Sequence, residues 1–166
     1  MSAPATPAGA SELATYGREL RWILDQIAAS VQGLTAPQLN WRPATGSANS
    51  AYAIVSHVLS STRVYALGFG CGHAVGRDRD AEFAAAGADP ELLVGGVRQL
   101  ATEIATALAG LRPSALDVRL TPPRELWGTG APVEISRRDA LVESIRHAGV
   151  HLGELRLTCD LAIRHA

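Results

Sequence analysis

Four stretches of this chain repeat apolar residues at steps of three and four, and this periodicity restricts the fold more than any other feature. They lie at about residues 11–33, 49–69, 90–112 and 136–163. Such spacing places the apolar side chains on one face of an α-helix. Amphipathic helices of this length bury their apolar faces against one another in a bundle. The sequence therefore predicts an all-α fold, a four-helix bundle with long connections.

The connections contain most of the proline and many of the glycine residues. Residues 34–47 read as an ordered connection, because Trp41 would rarely be left in water. Residues 73–89 read as a loop with at most a helical turn. Residues 118–120 and 133–135 are expected to pair as a short β-hairpin before the fourth helix. Ser136 and Asp139 have the spacing of a capping box and predict where that helix begins.

Length and composition fit one globular domain. The 166 residues are 47% apolar and 19% charged, an ordinary balance for a folded chain. We expect a single bundle domain over residues 11–166, preceded by a flexible Ala/Pro-rich tail at residues 1–10 that does not resemble a signal peptide. Ser11 would cap the first helix.

Charge and cysteine content indicate which partners and compartment to expect. The net charge of -1 gives no electrostatic reason to expect nucleic acid or an acidic membrane surface as a partner. No apolar run approaches the roughly 18 residues that a membrane span needs. Cys71 and Cys159 form neither a CxxC pair nor a disulfide framework, so we expect the reducing cytoplasm and two small apolar fillers.

The segment with the most chemical information is HAGVHLGE, residues 147–154. Residues four apart share one face of a helix, so the imidazoles of His147 and His151 can reach one metal ion. An isolated HxxxH is common by chance, and the alternative is two unrelated histidines at the surface. The apolar stripe of Leu141, Ile145 and Leu152 beside them turns the histidine face toward the interior and favours a metal site.

A third ligand is expected from the second helix. His57 lies inside the apolar stretch of residues 51–59. A lone histidine there is more often a satisfied core residue, but its combination with a helical HxxxH favours the ligand interpretation. His73 follows a glycine-rich helix end and His165 is next to the last residue, so both are expected in solvent.

Glu154 lies near the face of His147 and has two interpretations. It either orients a ligand or transfers protons beside the metal, or it forms an exposed ion pair with Arg146 or Arg156. Other site types are not supported, since the chain has no HExxH, GxSxG or P-loop motif.

Taken together, these motifs resemble the DinB-like superfamily of metal-binding four-helix bundles over residues 13–161. The resemblance is carried by the LNWRP segment at 39–43, the turn at 46–50 before the second helix, and the HxxxHxGE run at 147–154. It implies that His57, His147 and His151 bind one divalent ion, most often zinc or nickel, with a further position open to water or a thiol. It also implies a homodimer.

The resemblance leaves two classes of function open. One is a metal-dependent transferase or isomerase that acts on a small molecule with a low-molecular-weight thiol such as mycothiol, bacillithiol or glutathione, with Glu154 as its acid or base. The other is a non-catalytic bundle, stabilised by the metal, that acts as a stress-related or interaction module. A third interpretation has no metal, and the histidines are then polar members of the core.

Overall fold

The computed structural model describes residues 8–44, 46 and 48–165. Its helices are α1 (Ala8–Val31), α2 (Ala36–Asn40), α3 (Ala51–Thr62), α4 (Arg79–Ala84), α5 (Pro90–Gly110) and α6 (Arg137–His165). A π-helical segment, Arg63–Gly70, continues α3, and a 3-10 helix, Pro113–Asp117, follows α5. The strands β1 (Arg119–Leu120) and β2 (Ile135–Ser136) complete the order of elements.

The four long helices form the predicted bundle, so the all-α fold class is confirmed. The apolar stripes meet in one core in which Leu20, Ile54, Leu100 and Leu141 are at most 2% exposed. The helix α1 packs against α5 and α6, and α3 packs against α6. The last pairing positions the site, because α3 and α6 carry the three histidines singled out above.

The first helix begins earlier than predicted. It starts at Ala8, so residues 8–10 are helical and Ser11 lies inside the helix instead of at its cap. Ala8 and Ala10 are strong helix formers, which favours this earlier start despite Gly9 between them. Residues 1–7 of the expected tail, and Ser47 of the turn before the second helix, lie outside the described residues.

Two connections contain short helices. Thr35 and Gln38 form a capping box that begins α2 within the expected ordered connection. Asp78 caps α4, where its side chain accepts a hydrogen bond from the backbone of Ala81 (3.0 Å). The loop with a helical turn expected over residues 73–89 therefore contains a helix of six residues, which is too short for its apolar periodicity to be read.

The predicted hairpin is present with strands of two residues each: β1 lies within the predicted 118–120, and β2 begins at the last residue of the predicted 133–135. Arg119 pairs with Ser136 and Leu120 with Ile135 in antiparallel register. Asp139 accepts hydrogen bonds from both the backbone and the hydroxyl of Ser136 (each 2.8 Å), which is the capping interaction expected before α6.

The expectation that no segment is long and apolar enough for a membrane span is wrong for α5. By length and composition alone this helix passes that test. Its apolar side chains, such as Leu93, Val97 and Ile104, are at most 4% exposed and pack in the bundle core. Packing in the protein core therefore accounts for the apolar composition of α5.

Candidate metal centre

Three imidazoles from two helices converge at one point. His57 comes from α3, and His147 and His151 come from successive turns of α6. One ring nitrogen from each lies within 4.8 Å of the others, and Nε2 of His57 is 3.3 Å from Nε2 of His147. The ring centroids are 4.5–5.1 Å apart. The structure thus brings together the three residues that the sequence singled out.

A buried carboxylate fixes the ring of His57. Nδ1 of His57 donates to Oε2 of Glu82 across 2.8 Å, and each residue is at most 5% exposed. Arg77 donates to both oxygens of Glu82, from Nε (2.8 Å) and Nη2 (3.0 Å). Burial raises the pKa of Glu82, but the hydrogen bonds from His57 and Arg77 outweigh it and lower this pKa to about 2. Glu82 is therefore ionised and holds the proton of His57 on Nδ1.

Glu154 holds His151 in the same way. Nδ1 of His151 donates to Oε2 of Glu154 across 2.7 Å. The ion pairs considered for Glu154 are not formed, since Arg146 bonds Glu143 and Arg156 donates to Gln26. The geometry therefore favours the orienting role of Glu154 over the exposed ion pair.

His147 is held by a hydroxyl group. The Oγ of Ser61 donates to the carbonyl of Val58 (3.2 Å), so it accepts from Nδ1 of His147 (3.3 Å). Burial lowers the pKa of His147 to about 4, with the neighbouring histidines adding to the effect. Burial also lowers the pKa of His151. Both rings are therefore neutral at neutral pH.

These bonds occupy one nitrogen of each ring and turn the other toward the neighbouring histidines. Two such nitrogens 3.3 Å apart need a proton or a metal cation between them. For zinc–nitrogen bonds of about 2.0–2.1 Å, neighbouring ligands in a tetrahedral site lie about 3.3 Å apart. The residues present therefore fit a divalent ion, since one nitrogen from each of the three rings faces the same point.

The sequence interpretation missed Glu82 and Phe83, which both come from α4. Phe83 stacks on the ring of His57 with centroids 4.8 Å apart. The available signal was Asp78 at a capping position, followed by acidic residues of a first helical turn. It indicates a helix, but it does not show where that helix packs.

The LNWRP segment holds α4 in place. The side-chain amide of Asn40 donates to the carbonyl of Gly87 (2.8 Å) and accepts from its N–H (3.2 Å). Arg42 donates to the carbonyl of Phe83 (3.1 Å), and Trp41 stacks on His165, which is otherwise exposed as expected. The segment therefore has a structural role next to the centre.

A cavity of about 500 Å³ adjoins the centre on the side of His147. Its walls come from the π-helical segment, the connection between β1 and β2, α4 with the residues before it, and the first half of α6. The aromatic and charged residues in its lining include Tyr65, Arg77, Arg79, Trp127, Glu143 and Arg146. One ligand of the centre thus faces space that a small molecule can enter.

The fold and the site define a class: helical bundles with a three-histidine centre between two long helices. The sequence model of the DinB superfamily matches residues 19–155. The chain belongs to the DinB superfamily, as the sequence motifs indicated. Among the curated proteins, none matches the chain significantly.

Proposed function

We propose that this protein binds one divalent ion through His57, His147 and His151 and uses it in a thiol-dependent transfer or isomerisation of a small molecule. The observation that carries the proposal is the convergence of one ring nitrogen from each of three histidines beside a cavity lined by His147. Structural zinc sites are closed by four protein ligands, whereas catalytic sites have three and an open position. Zinc and nickel both suit imidazole ligands.

An ion at this position would supply Lewis acidity that lowers the pKa of a bound water or thiol toward neutrality. The chain's own residues orient the ligands and move protons. Glu82 and Glu154 fix the rings, and the side chain of Glu154 is 39% exposed. Among the described residues, no donor contacts its Oε1 atom, so this oxygen is free to accept a proton beside the centre. We therefore propose Glu154 as the acid or base.

The thiol has to come from outside the chain. Burial raises the pKa values of Cys71 and Cys159 to about 11, and neither is among the cavity residues. The family resemblance suggests a low-molecular-weight thiol as the reactant.

One observation favours a non-catalytic alternative. His57 is 3% exposed, and an ion held there would join α3 to α6 as a structural staple. Thermal unfolding with and without a chelator separates the two functions. If the protein loses its fold without the ion, the structural staple is favoured. If the unfolding temperature changes only slightly, the open site is favoured.

Cobalt substitution tests the thiol directly. Co²⁺ replaces zinc in such sites and reports its ligands by visible absorption. We expect a thiol titration to add an intense sulfur-to-cobalt band in the wild type and in His73→Ala, whose histidine is exposed, but not in His147→Ala. A cobalt-loaded wild type whose spectrum is unchanged by thiols would contradict the thiol reaction and leave metal binding intact.

We also propose that the protein is a cytoplasmic homodimer that interacts with neither nucleic acid nor membrane. Val150 and Leu157 of α6 and Trp22 of α1 are more than half exposed, which supports self-association. Sedimentation of the purified protein tests the dimer.

A further inference from the structure

The cavity beside the centre carries an excess of positive charge. Three guanidinium groups line it, from Arg77, Arg79 and Arg146, against the carboxylates of Asp139 and Glu143. Most of these charges already have partners within the fold. The existing partners of each charged side chain therefore decide whether a ligand can pair with that side chain.

Both carboxylates are engaged by the protein. Asp139 accepts two hydrogen bonds from Ser136 in the cap of α6. Glu143 forms an ion pair with Arg146 at 2.6 Å. Arg77, whose side chain is 2% exposed, is bonded to Glu82. Neither carboxylate is therefore available to attract a cation into the cavity.

Arg79 differs from the other two arginines. Among the described residues, no carboxylate forms an ion pair with it. Its guanidinium lies 5.4 Å from the ring centre of Phe83, the residue that stacks on His57. The planar fork of such a group matches two oxygens of a carboxylate or phosphate at once.

The aromatic part of the lining suits an apolar body. Trp127 and Tyr65 lie with ring centroids 6.2 Å apart, within a second apolar cluster that includes Phe69 and Ile135. Aromatic walls with a few charged groups are usual in sites that orient a small molecule.

From these contacts we infer that the cavity is the substrate site, and that it takes a small molecule with a carboxylate or phosphate group, held by Arg79. The apolar part of that molecule lies against Trp127 and Tyr65, and its far end points to His147. The inference rests on the proposed function, because that function specifies which end of the molecule reacts at the metal.

Benzoate and benzyl alcohol are suitable probes, because they share an aromatic ring and differ in charge. Calorimetry on the zinc-loaded full chain measures the affinity of each. We expect benzoate to bind at least about 10-fold more tightly, since its carboxylate can form a charge-assisted bidentate contact with Arg79 that the alcohol cannot form. Arg79→Gln should abolish that preference, Arg79→Lys should retain part of it, and Arg98→Gln, on the exposed face of α5, should leave it unchanged.

Equal affinities for the two probes, or no binding of benzoate, would overturn the inference. So would an unchanged preference in Arg79→Gln, because benzoate would then bind the zinc ion alone. Inorganic phosphate as a third probe distinguishes a carboxylate from a phosphate ligand. None of these outcomes depends on the cobalt–thiol spectrum, so failure of the anion site and failure of the thiol reaction are separable.

Discussion

Glu82 and His57 form a buried pair, 2.8 Å apart, that joins a helix of six residues to the core of the bundle. Arg77 completes the group by bonding both oxygens of the carboxylate. The pair fixes which nitrogen of His57 carries the proton and where the other nitrogen points. Such carboxylate–histidine contacts set the basicity and orientation of a metal ligand.

Glu82→Gln should weaken metal binding by about 10- to 100-fold, because the amide no longer holds the Nδ1 proton of His57 as firmly. It should also lower the free energy of unfolding by roughly 3 kcal/mol, since the buried Arg77 loses its counter-charge. Competition with a chromogenic chelator measures the first effect, and urea unfolding in chelator measures the second.

Asp80→Asn is the matched control for this prediction. Asp80 lies on the same helix and is exposed. It should retain wild-type affinity and stability. If Glu82→Gln binds zinc as tightly as Asp80→Asn does, the role assigned to Glu82 is wrong.

Glu154→Gln should have a weaker effect on the metal than Glu82→Gln. Glutamine still accepts the proton of His151, and an exposed carboxylate contributes less to its surroundings. We expect a loss of affinity below about 10-fold and a change in stability within about 0.5 kcal/mol. The same chelator competition measures the affinity of this variant. A loss of affinity equal to that of Glu82→Gln would show that the greater exposure of Glu154 does not reduce its effect on the metal.

Gly87 is expected to tolerate no side chain. A Cβ atom there would lie 2.4 Å from the ring of Tyr52, on the loop that Asn40 ties to α2. Gly87→Ala should therefore displace α4, lower stability by about 1–3 kcal/mol and weaken metal binding through Glu82.

Gly76→Ala provides the comparison, because nothing lies within 4 Å of the added Cβ atom. Thermal unfolding and chelator competition on both variants test the idea. Equal behaviour of the two alanine variants would refute the link between the loop and the centre.

The histidines could be found from sequence because helical geometry is local. His147 and His151 are four residues apart on one helix, and Glu154 reaches His151 over three residues. The capping pair of Ser136 and Asp139 is equally local. These contacts follow from the spacing once the helix is assigned, although only the packing decided between the two interpretations of Glu154.

Glu82 could not be found because its contact with His57 spans 25 residues, including the loop between the π-helical segment and α4. The helix that carries Glu82 is too short for a periodic pattern. The loop after this helix is held by the hydrogen bonds between Asn40 and Gly87, which also join distant residues. The stacking of Trp41 on His165 likewise joins residues that are far apart in the sequence. Such contacts depend on tertiary packing, which local patterns do not encode.

Both cysteines should be inert in the folded protein. Burial raises the pKa values of Cys71 and Cys159 to about 11, so little thiolate exists at neutral pH. Titration with an aromatic disulfide reagent at pH 7.5 should find no fast-reacting thiol before denaturation and two after it. A thiol that reacts rapidly in the native protein would contradict the assignment of both residues as core fillers.

Metal content tests the central claim most directly. Tag-free protein, exposed to zinc or nickel and then dialysed, should carry about one ion per chain by mass spectrometry. His57→Ala and His147→Ala should lose it while circular dichroism stays helical, and His73→Ala should retain it. Wild-type protein without bound metal, or His57→Ala with its full complement, would contradict the three-histidine centre.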